Sequence, residues 1–256
     1  MNRLIRRSAD QWNVPPRLAF GIFCFPLVVS IPLALSYFLE PRIVYWLARE
    51  DSVIEWLTVI VFIVGGFYAG LSAGRLLRRR RWALGLVFSG VALMAIFIAG
   101  EEISWGQRIL GIETPEWMAE INWQGELNLH NTDYSPFTYA VQIAGAFGSF
   151  AYLVSRGIGR KWVDDGSGRF FIPPFFLASW FWVTFVWLFA RILNILEFTP
   201  FVVRYSEHTE LTLGVGFMLF MMLIHRSLKS AAAQSLAEPV HAALDVSEYE
   251  TAIRPS

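Results

Sequence analysis

The sequence lacks the charged surface that a soluble domain needs. Charged residues make up only 16% of the chain and hydrophobic residues 55%, whereas soluble domains carry about a quarter charged residues. The formal net charge is zero, so no overall attraction toward nucleic acid is predicted. The single cysteine, Cys24, excludes an intramolecular disulfide and a metal site built from cysteines alone. This composition predicts an integral membrane protein.

Several hydrolase motifs are absent as well. The chain contains no HExxH sequence and no repeated ExxH sequence, which are common zinc and di-metal signatures. Ser104 and Ser206 have no nucleophile-elbow motif around them. The serine, aspartate and histidine pattern of membrane ceramidase-like hydrolases is also missing. Any chemistry must therefore be argued from scattered acidic, basic and histidine residues.

Long apolar runs dominate what is present. Six of them are long enough, or nearly long enough, to cross a hydrocarbon core that takes about 20 helical residues. We therefore predict an all-α bundle of about six transmembrane helices within residues 18–229. A basic N-terminus (1–17) precedes it and a disordered cytoplasmic tail (230–256) follows. The predicted spans are 18–39, 53–74, 83–104, 136–155, 171–195 and 208–226.

Charge is distributed unevenly between the predicted loops. If the N-terminus is cytoplasmic, sixteen lysines and arginines fall on the inner side and five on the outer side. The positive-inside rule then predicts a multi-pass protein of the cell (inner) membrane with both termini in the cytoplasm. Fourteen of the 21 acidic residues fall on the outer side. Any reactive site is therefore expected to face outward.

The longest outer connection joins the third and fourth predicted spans. Its segment Thr114-Pro115-Glu116-Trp117 has a capping hydroxyl, a proline at the first helical position and an acid in the first turn, which predicts a helix start. Tryptophans and interleaved apolar residues predict that this short helix lies in the outer membrane interface. It would cover the outer end of the bundle.

Ionisable residues converge on the predicted outer helix ends. Glu101 and Glu102 close the third span, and Glu126 and His130 are four residues apart in the next loop, so they share a face whether that loop is helical or extended. Ionisable groups within a span are costly and by default indicate a functional site. The candidate catalytic groups are Glu101, Glu102, Glu126, His130 and His208, and the candidate substrate-binding groups are Trp105, Gln107, Arg108, Asn128, Asn131 and Arg191.

Three functions fit this pattern. The first is a membrane enzyme acting on a lipid or lipid-linked substrate at the outer leaflet, with arginines holding an anionic headgroup. Its acids and histidines would transfer protons or bind a divalent metal, for which the candidate ligands are Glu102, His130, Glu207 and His208. The second is a transporter or proton-coupled carrier, and the third is a non-catalytic assembly protein. A structural ion-pair network is the competing interpretation of the same charges.

Small residues indicate how the helices approach each other. Gly66, Gly70 and Gly74 recur at steps of four on one face of the second predicted span, which permits close approach of another helix. That helix could belong to the same chain or to a second copy in a homodimer. We favour packing within the chain, because small residues at this spacing are a weak signal in apolar segments.

One pair of motifs carries a family resemblance. "GEEISWGQRILGIETPE" followed by "NWQGELNLHN" resembles a signature of a family of uncharacterised bacterial multi-pass membrane proteins. The resemblance covers roughly residues 100–131 and implies no activity. It implies that the motif residues form one structural unit, namely Glu101, Glu102, Trp105, Gln107, Arg108, Glu126, Asn128, His130 and Asn131.

Overall fold

The structure is a computed structural model that describes residues 1–47, 52–122, 124–129, 131–132, 136–157, 167–192 and 205–230. In this part of the chain the regular structure is helical, which confirms the predicted all-α class. Three short 3-10 turns accompany the helices, at Ser104–Gly106, Ser167–Phe170 and Phe175–Leu177. The helices are α1 (Asn2–Gln11), α2 (Pro16–Leu39), α3 (Pro41–Leu47), α4 (Val53–Arg78), α5 (Trp82–Glu102), α6 (Gln107–Leu110), α7 (Glu116–Ala119), α8 (Pro136–Gly157), α9 (Ala178–Ile192) and α10 (Tyr205–Ser230).

Within the described residues, five helical segments are long and apolar enough to cross a membrane: Pro16–Leu39, Val53–Arg78, Trp82–Glu102, Gly168–Ala190 and Tyr205–Ser230. They fit the membrane protein that the composition predicts. The fourth predicted span, 136–155, coincides with α8, which is helical but is not one of the five. The predicted disordered tail, residues 231 onward, lies outside the described residues.

The bundle has two chemically different ends. At the arginine-rich end, which we define by α1, the turn 79–81 and the last turns of α10, Arg226 donates to the Asn13 carbonyl at 3.0 Å and Arg79 to the Leu228 carbonyl at 3.2 Å. At the acidic end, α4 and α10 begin and α5 ends at Glu102. The acids of the predicted site lie at this second end.

The predicted glycine face is used within the chain at its first position. A Cβ added at Gly66 would lie 3.1 Å from the Ala95 Cβ and 3.3 Å from the Ala92 carbonyl oxygen, both in α5. A Cβ at Gly70 would meet Ala92 at an ordinary 3.9 Å, and one at Gly74 would meet nothing within 4 Å. Packing within the chain, our preferred interpretation, therefore holds at Gly66. A homodimer through this face stays a prediction.

Polar contacts attach α2 to α9 and α10. Pro26 has no N–H, which leaves the Ile22 carbonyl without its helical partner, and the Trp180 indole N–H donates to that carbonyl at 3.1 Å. One turn further, Ser30 Oγ lies 2.8 Å from His208 Nε2. The Ser30 carbonyl also accepts from the Tyr205 hydroxyl at 2.9 Å. These bonds fix how α2 and α10 lie against each other at the level of His208.

The N-terminal segment is more ordered than its basic composition indicates. Residues 2–11 form helix α1, and Ile5, Ala9 and Trp12 are buried. The Trp12 ring packs edge-on against Phe220 of α10 at 6.1 Å between ring centroids. The basic segment predicted from sequence is therefore an amphipathic helix that belongs to the core.

Candidate functional site

Three carboxylates meet at the acidic end. Glu102 is the last residue of α5, and Glu207 and Glu210 lie one turn apart in the first turns of α10. Carboxylate oxygens of these three residues all lie within 4.8 Å of one another. Glu102 is only 8% exposed and shares a side-chain hydrogen bond with Glu210. We call Glu102, Glu207 and Glu210 the carboxylate cluster.

A fourth acid adds to the same field. Glu55 lies in the first turn of α4, whose N-cap Ser52 accepts a hydrogen bond from the Glu55 backbone N–H at 3.2 Å. Glu55 interacts electrostatically with Glu102. Three helices of the bundle therefore direct acidic side chains toward one buried position.

Such an arrangement is unstable if every acid is ionised and nothing neutralises it. Two unit charges about 5 Å apart repel by about 3 kcal/mol at an effective dielectric constant of about 20. An ionised carboxylate only accepts hydrogen bonds, so the bond between Glu102 and Glu210 requires a proton on one of them. A divalent cation would neutralise the cluster equally well, and an all-carboxylate set suits Mg²⁺, Ca²⁺ or Mn²⁺. The cluster is therefore suited to bind a proton or a hard cation.

His208 does not join the carboxylate cluster. It follows Glu207 directly, and successive helical residues point about 100° apart, so His208 faces α2 and bonds Ser30. Its side chain is 5% exposed. Of the four predicted metal ligands, the structure brings Glu102 and Glu207 together and directs His208 elsewhere.

Glu101 has different partners from its neighbour Glu102. Its Oε1 accepts from the Trp105 indole N–H at 2.7 Å, and its Oε2 accepts from the Leu129 backbone N–H at 2.6 Å. Ser104 and Trp105 have positive φ angles of 47° and 55°, which non-glycine residues adopt at a cost of about 1–2 kcal/mol each. These contacts turn the chain sharply out of α5 into residues 104–132, a loop that we call the outer cap after the side of the membrane predicted for it from sequence.

A buried polar network holds the outer cap together. The Glu126 Oε2 accepts from Ser104 Oγ at 2.6 Å and from Asn128 Nδ2 at 2.9 Å. Asn122 donates to the Asn128 carbonyl at 2.8 Å. All four side chains are buried, whereas Leu129 is exposed. Glu126 and Asn128 thus lie on the same inward side of the cap and bond to its other buried side chains, while the catalytic role of Glu126 stays a prediction.

The remaining predicted residues in the cap also have structural partners. The Gln107 Oε1 accepts from the Leu127 backbone N–H at 2.6 Å, and its amide N–H donates to Thr114 Oγ1. The Asn131 N–H donates to Asn128 Oδ1 at 3.3 Å. Gln107 and Asn131 therefore bond to other residues of the cap, while substrate-binding roles for Trp105, Gln107, Asn128 and Asn131 stay predictions.

Three predicted residues cannot be placed in the site. His130 lies outside the described residues, and so do the side chains of Arg108 and Arg191. The structure in turn adds Glu210 and Glu55, which the sequence places at helix ends of the same membrane level without a site role, and pairs Ser30 with His208. The spacing of Glu207 and Glu210 by three residues could have indicated the first addition, because residues three apart share a helix face. Nothing local to Ser30 indicates a partner 178 residues away.

The fold and its acidic end fit the class of multi-pass membrane proteins. No family model, curated protein or solved structure matches the chain. The resemblance of residues 100–131 to a bacterial membrane protein family accordingly stays a prediction. Function has to be argued from the carboxylate cluster and its surroundings.

Proposed function

We propose that this protein is a membrane enzyme that acts on a lipid or lipid-linked substrate at the outer leaflet, with the carboxylate cluster as its reactive centre. The observation that carries the proposal is Glu102, 8% exposed and held within 4.8 Å of Glu207 and Glu210 at the end of two apolar helices. Collecting acids there opposes folding, which favours a functional over a purely structural origin.

The cluster supports two kinds of chemistry. Glu102, Glu207 and Glu210 would be the residues that hold a divalent cation, which would polarise a substrate oxygen as a Lewis acid. Without a cation, a protonated Glu102 would donate its proton to a leaving group. Glu207 and Glu210 are only partly buried, so a headgroup can approach the cluster from their side.

Exposed apolar side chains on the outer cap favour a lipid substrate. Ile109, Leu110 and Trp117 are 70%, 68% and 60% exposed. This apolar surface continues from α5, because Phe97 packs against Trp105 at 5.4 Å between ring centroids. We therefore propose that α7 and its neighbours lie in the outer interface, where tryptophan and apolar residues are favoured. An amphiphilic substrate would then reach the cluster from the lipid side.

The course of the chain favours a sixth crossing by α8. The outer cap follows Glu102 at the acidic end, and Arg169 donates to the Gln11 carbonyl at the arginine-rich end at 3.2 Å. Between these points the chain must traverse the bundle, and α8, with 22 residues, is long enough to do so. We propose six spans in a bacterial inner membrane, with the arginine-rich end in the cytoplasm.

Cation binding and turnover can be tested on three proteins: the wild type, Glu102→Gln, and the matched control Glu113→Gln, which changes an exposed acid of the cap. Purified proteins are analysed for bound metals and then incubated with a bacterial lipid extract that is resolved by mass spectrometry. We expect the wild type and the control to convert a lipid and Glu102→Gln to convert none. Equal lipid profiles for all three proteins would overturn the enzyme proposal.

The hydrogen bond between Glu102 and Glu210 favours one alternative, a proton-coupled carrier, because a proton held between the two acids could be taken up and released during transport. In proteoliposomes with a pH-sensitive dye inside, a carrier would admit protons when a potassium gradient and valinomycin impose a negative interior. Proton entry with wild type but not with Glu102→Gln would support this alternative. Equal proton entry with both proteins would exclude a role for the carboxylate cluster in proton transport.

A third outcome concerns the lipid assay and the proton assay together. If a folded Glu102→Gln variant behaves like the wild type in both, the result would favour a non-catalytic assembly protein.

A further inference from the structure

Helix α1 has a face that the core does not use. Ile5 and Ala9 are fully buried, and α1 packs against the turn Phe175–Leu177. Arg3, Arg6 and Arg7 lie on the opposite side and are exposed. Steps of three and four bring these arginines together along the helix. The apolar side is already covered by protein, so any further contact of α1 is made by its basic face.

The C-terminal end of α1 is held by arginines from other helices. Arg169 donates to the Gln11 carbonyl at 3.2 Å and stacks over the Trp12 ring at 4.3 Å. Arg226 donates to the Asn13 carbonyl at 3.0 Å. Carbonyls at a helix end lack intrahelical partners and carry partial negative charge, so both contacts are favourable. The helix is therefore fixed in one orientation rather than attached by its apolar contacts alone.

The position of α1 identifies the surface that it meets. Four residues, 12–15, separate α1 from α2, whose apolar side chains Leu18 and Phe20 are 55% and 46% exposed. If α2, a candidate span by length and composition, crosses the membrane, α1 lies within about two helical turns of the hydrocarbon boundary, at the level of the headgroup phosphates. Among described residues, no ion pair engages Arg3, Arg6 or Arg7.

We infer that the basic face of α1, formed by Arg3, Arg6 and Arg7, binds the headgroups of anionic phospholipids in the adjacent leaflet. Charge complementarity carries the inference: three guanidinium groups lie on one helix face, where the only acid of the helix is Asp10. Guanidinium groups form paired hydrogen bonds with phosphate. This inference does not depend on the carboxylate cluster.

Lipid binding can be measured on the full-length protein in neutral detergent. Native mass spectrometry counts bound phosphatidylglycerol during a titration, with phosphatidylcholine as the neutral lipid. The test variant is Arg3→Gln/Arg6→Gln/Arg7→Gln. The matched control, Arg78→Gln/Arg80→Gln/Arg81→Gln, removes the same charge from exposed positions near the turn between α4 and α5. We expect phosphatidylglycerol affinity to fall at least about tenfold in the test variant and much less in the control.

Each other outcome contradicts the inference. Equal losses in both variants would mean that the total charge of the arginine-rich end matters and α1 does not. Unchanged affinity in the test variant, or wild-type binding without preference over phosphatidylcholine, would exclude α1 as a lipid site. Thermal unfolding of both variants provides the folding control. Because the substituted side chains are exposed, neither midpoint should move.

Discussion

At the scale of single residues, two adjacent glutamates have different surroundings. Glu101 accepts hydrogen bonds from Trp105 and Leu129, whereas Glu102 faces other acids. Consecutive helical residues point about 100° apart, so the sequence pair predicts two environments without saying which residue faces which. The difference between the surroundings of these two acids arises from the outer cap and α10, which are distant in sequence.

Replacing Glu102 with glutamine removes an ionisable group from a crowded acidic site. In protein treated with a chelator, at a pH high enough to ionise all three acids of the carboxylate cluster, we expect Glu102→Gln to raise the free energy of unfolding by about 1–3 kcal/mol, because repulsion at these distances is of that size. Thermal unfolding in detergent measures the effect. Added Mg²⁺ or Mn²⁺ should stabilise the wild type but not the variant. A variant markedly less stable than chelated wild type would show that the cluster is a structural network.

Replacing Glu101 should have the opposite effect on stability. Glu101→Ala removes two charge-assisted hydrogen bonds and leaves the Leu129 N–H without this acceptor. We expect a loss of about 2–4 kcal/mol. The exposed Glu113 provides the control, and Glu113→Ala should change stability by less than about 0.5 kcal/mol. Equal stability of the two alanine variants would show that the hydrogen bonds of Glu101 do not stabilise the outer cap.

At the scale of helices, the packing of α4 separates glycines that look equivalent in sequence. Gly66 and Gly74 belong to the same periodic face, yet an added Cβ meets α5 at 3.1 Å from the first and nothing within 4 Å from the second. The period reveals the face, but only the crossing of two helices shows where they approach most closely. The Ser30 contact with His208 likewise depends on how α2 and α10 cross, so no local sequence pattern predicts it.

Alanine substitutions test this difference between the two glycines. Gly66→Ala should lower the free energy of unfolding by about 1–3 kcal/mol, because α5 must move away from its Cβ. Gly74→Ala should be neutral or slightly stabilising, because alanine favours helix and has room there. Thermal unfolding and light scattering are measured on both. If Gly74→Ala instead dissociates a dimer, the glycine face contacts a second copy of the chain at Gly74, in addition to its contact with α5 at Gly66.

At the scale of the whole molecule, sequence predicts the long helices well and the loops less well. Apolar runs such as 53–74 and 83–104 reappear as α4 and α5 with shifted ends, because length and hydropathy are local properties. The outer cap was predicted only as far as its short helix. Its network of Ser104, Glu126 and Asn128 depends on contacts across more than twenty residues, which no local pattern contains.

The two ends of the bundle lead to a prediction about its topology. Arg226 of α10 contacts Asn13 beside α1, so the first helix and the end of the last lie at one end of the molecule. An odd number of crossings does not produce this arrangement, which supports our proposal that α8 completes a sixth span. A reporter fused before Met1 and one fused after Ser230 should both be cytoplasmic, whereas one inserted at Glu113 should be external. If the two terminal reporters lie on opposite sides of the membrane, α8 does not cross it and the six-span proposal is wrong.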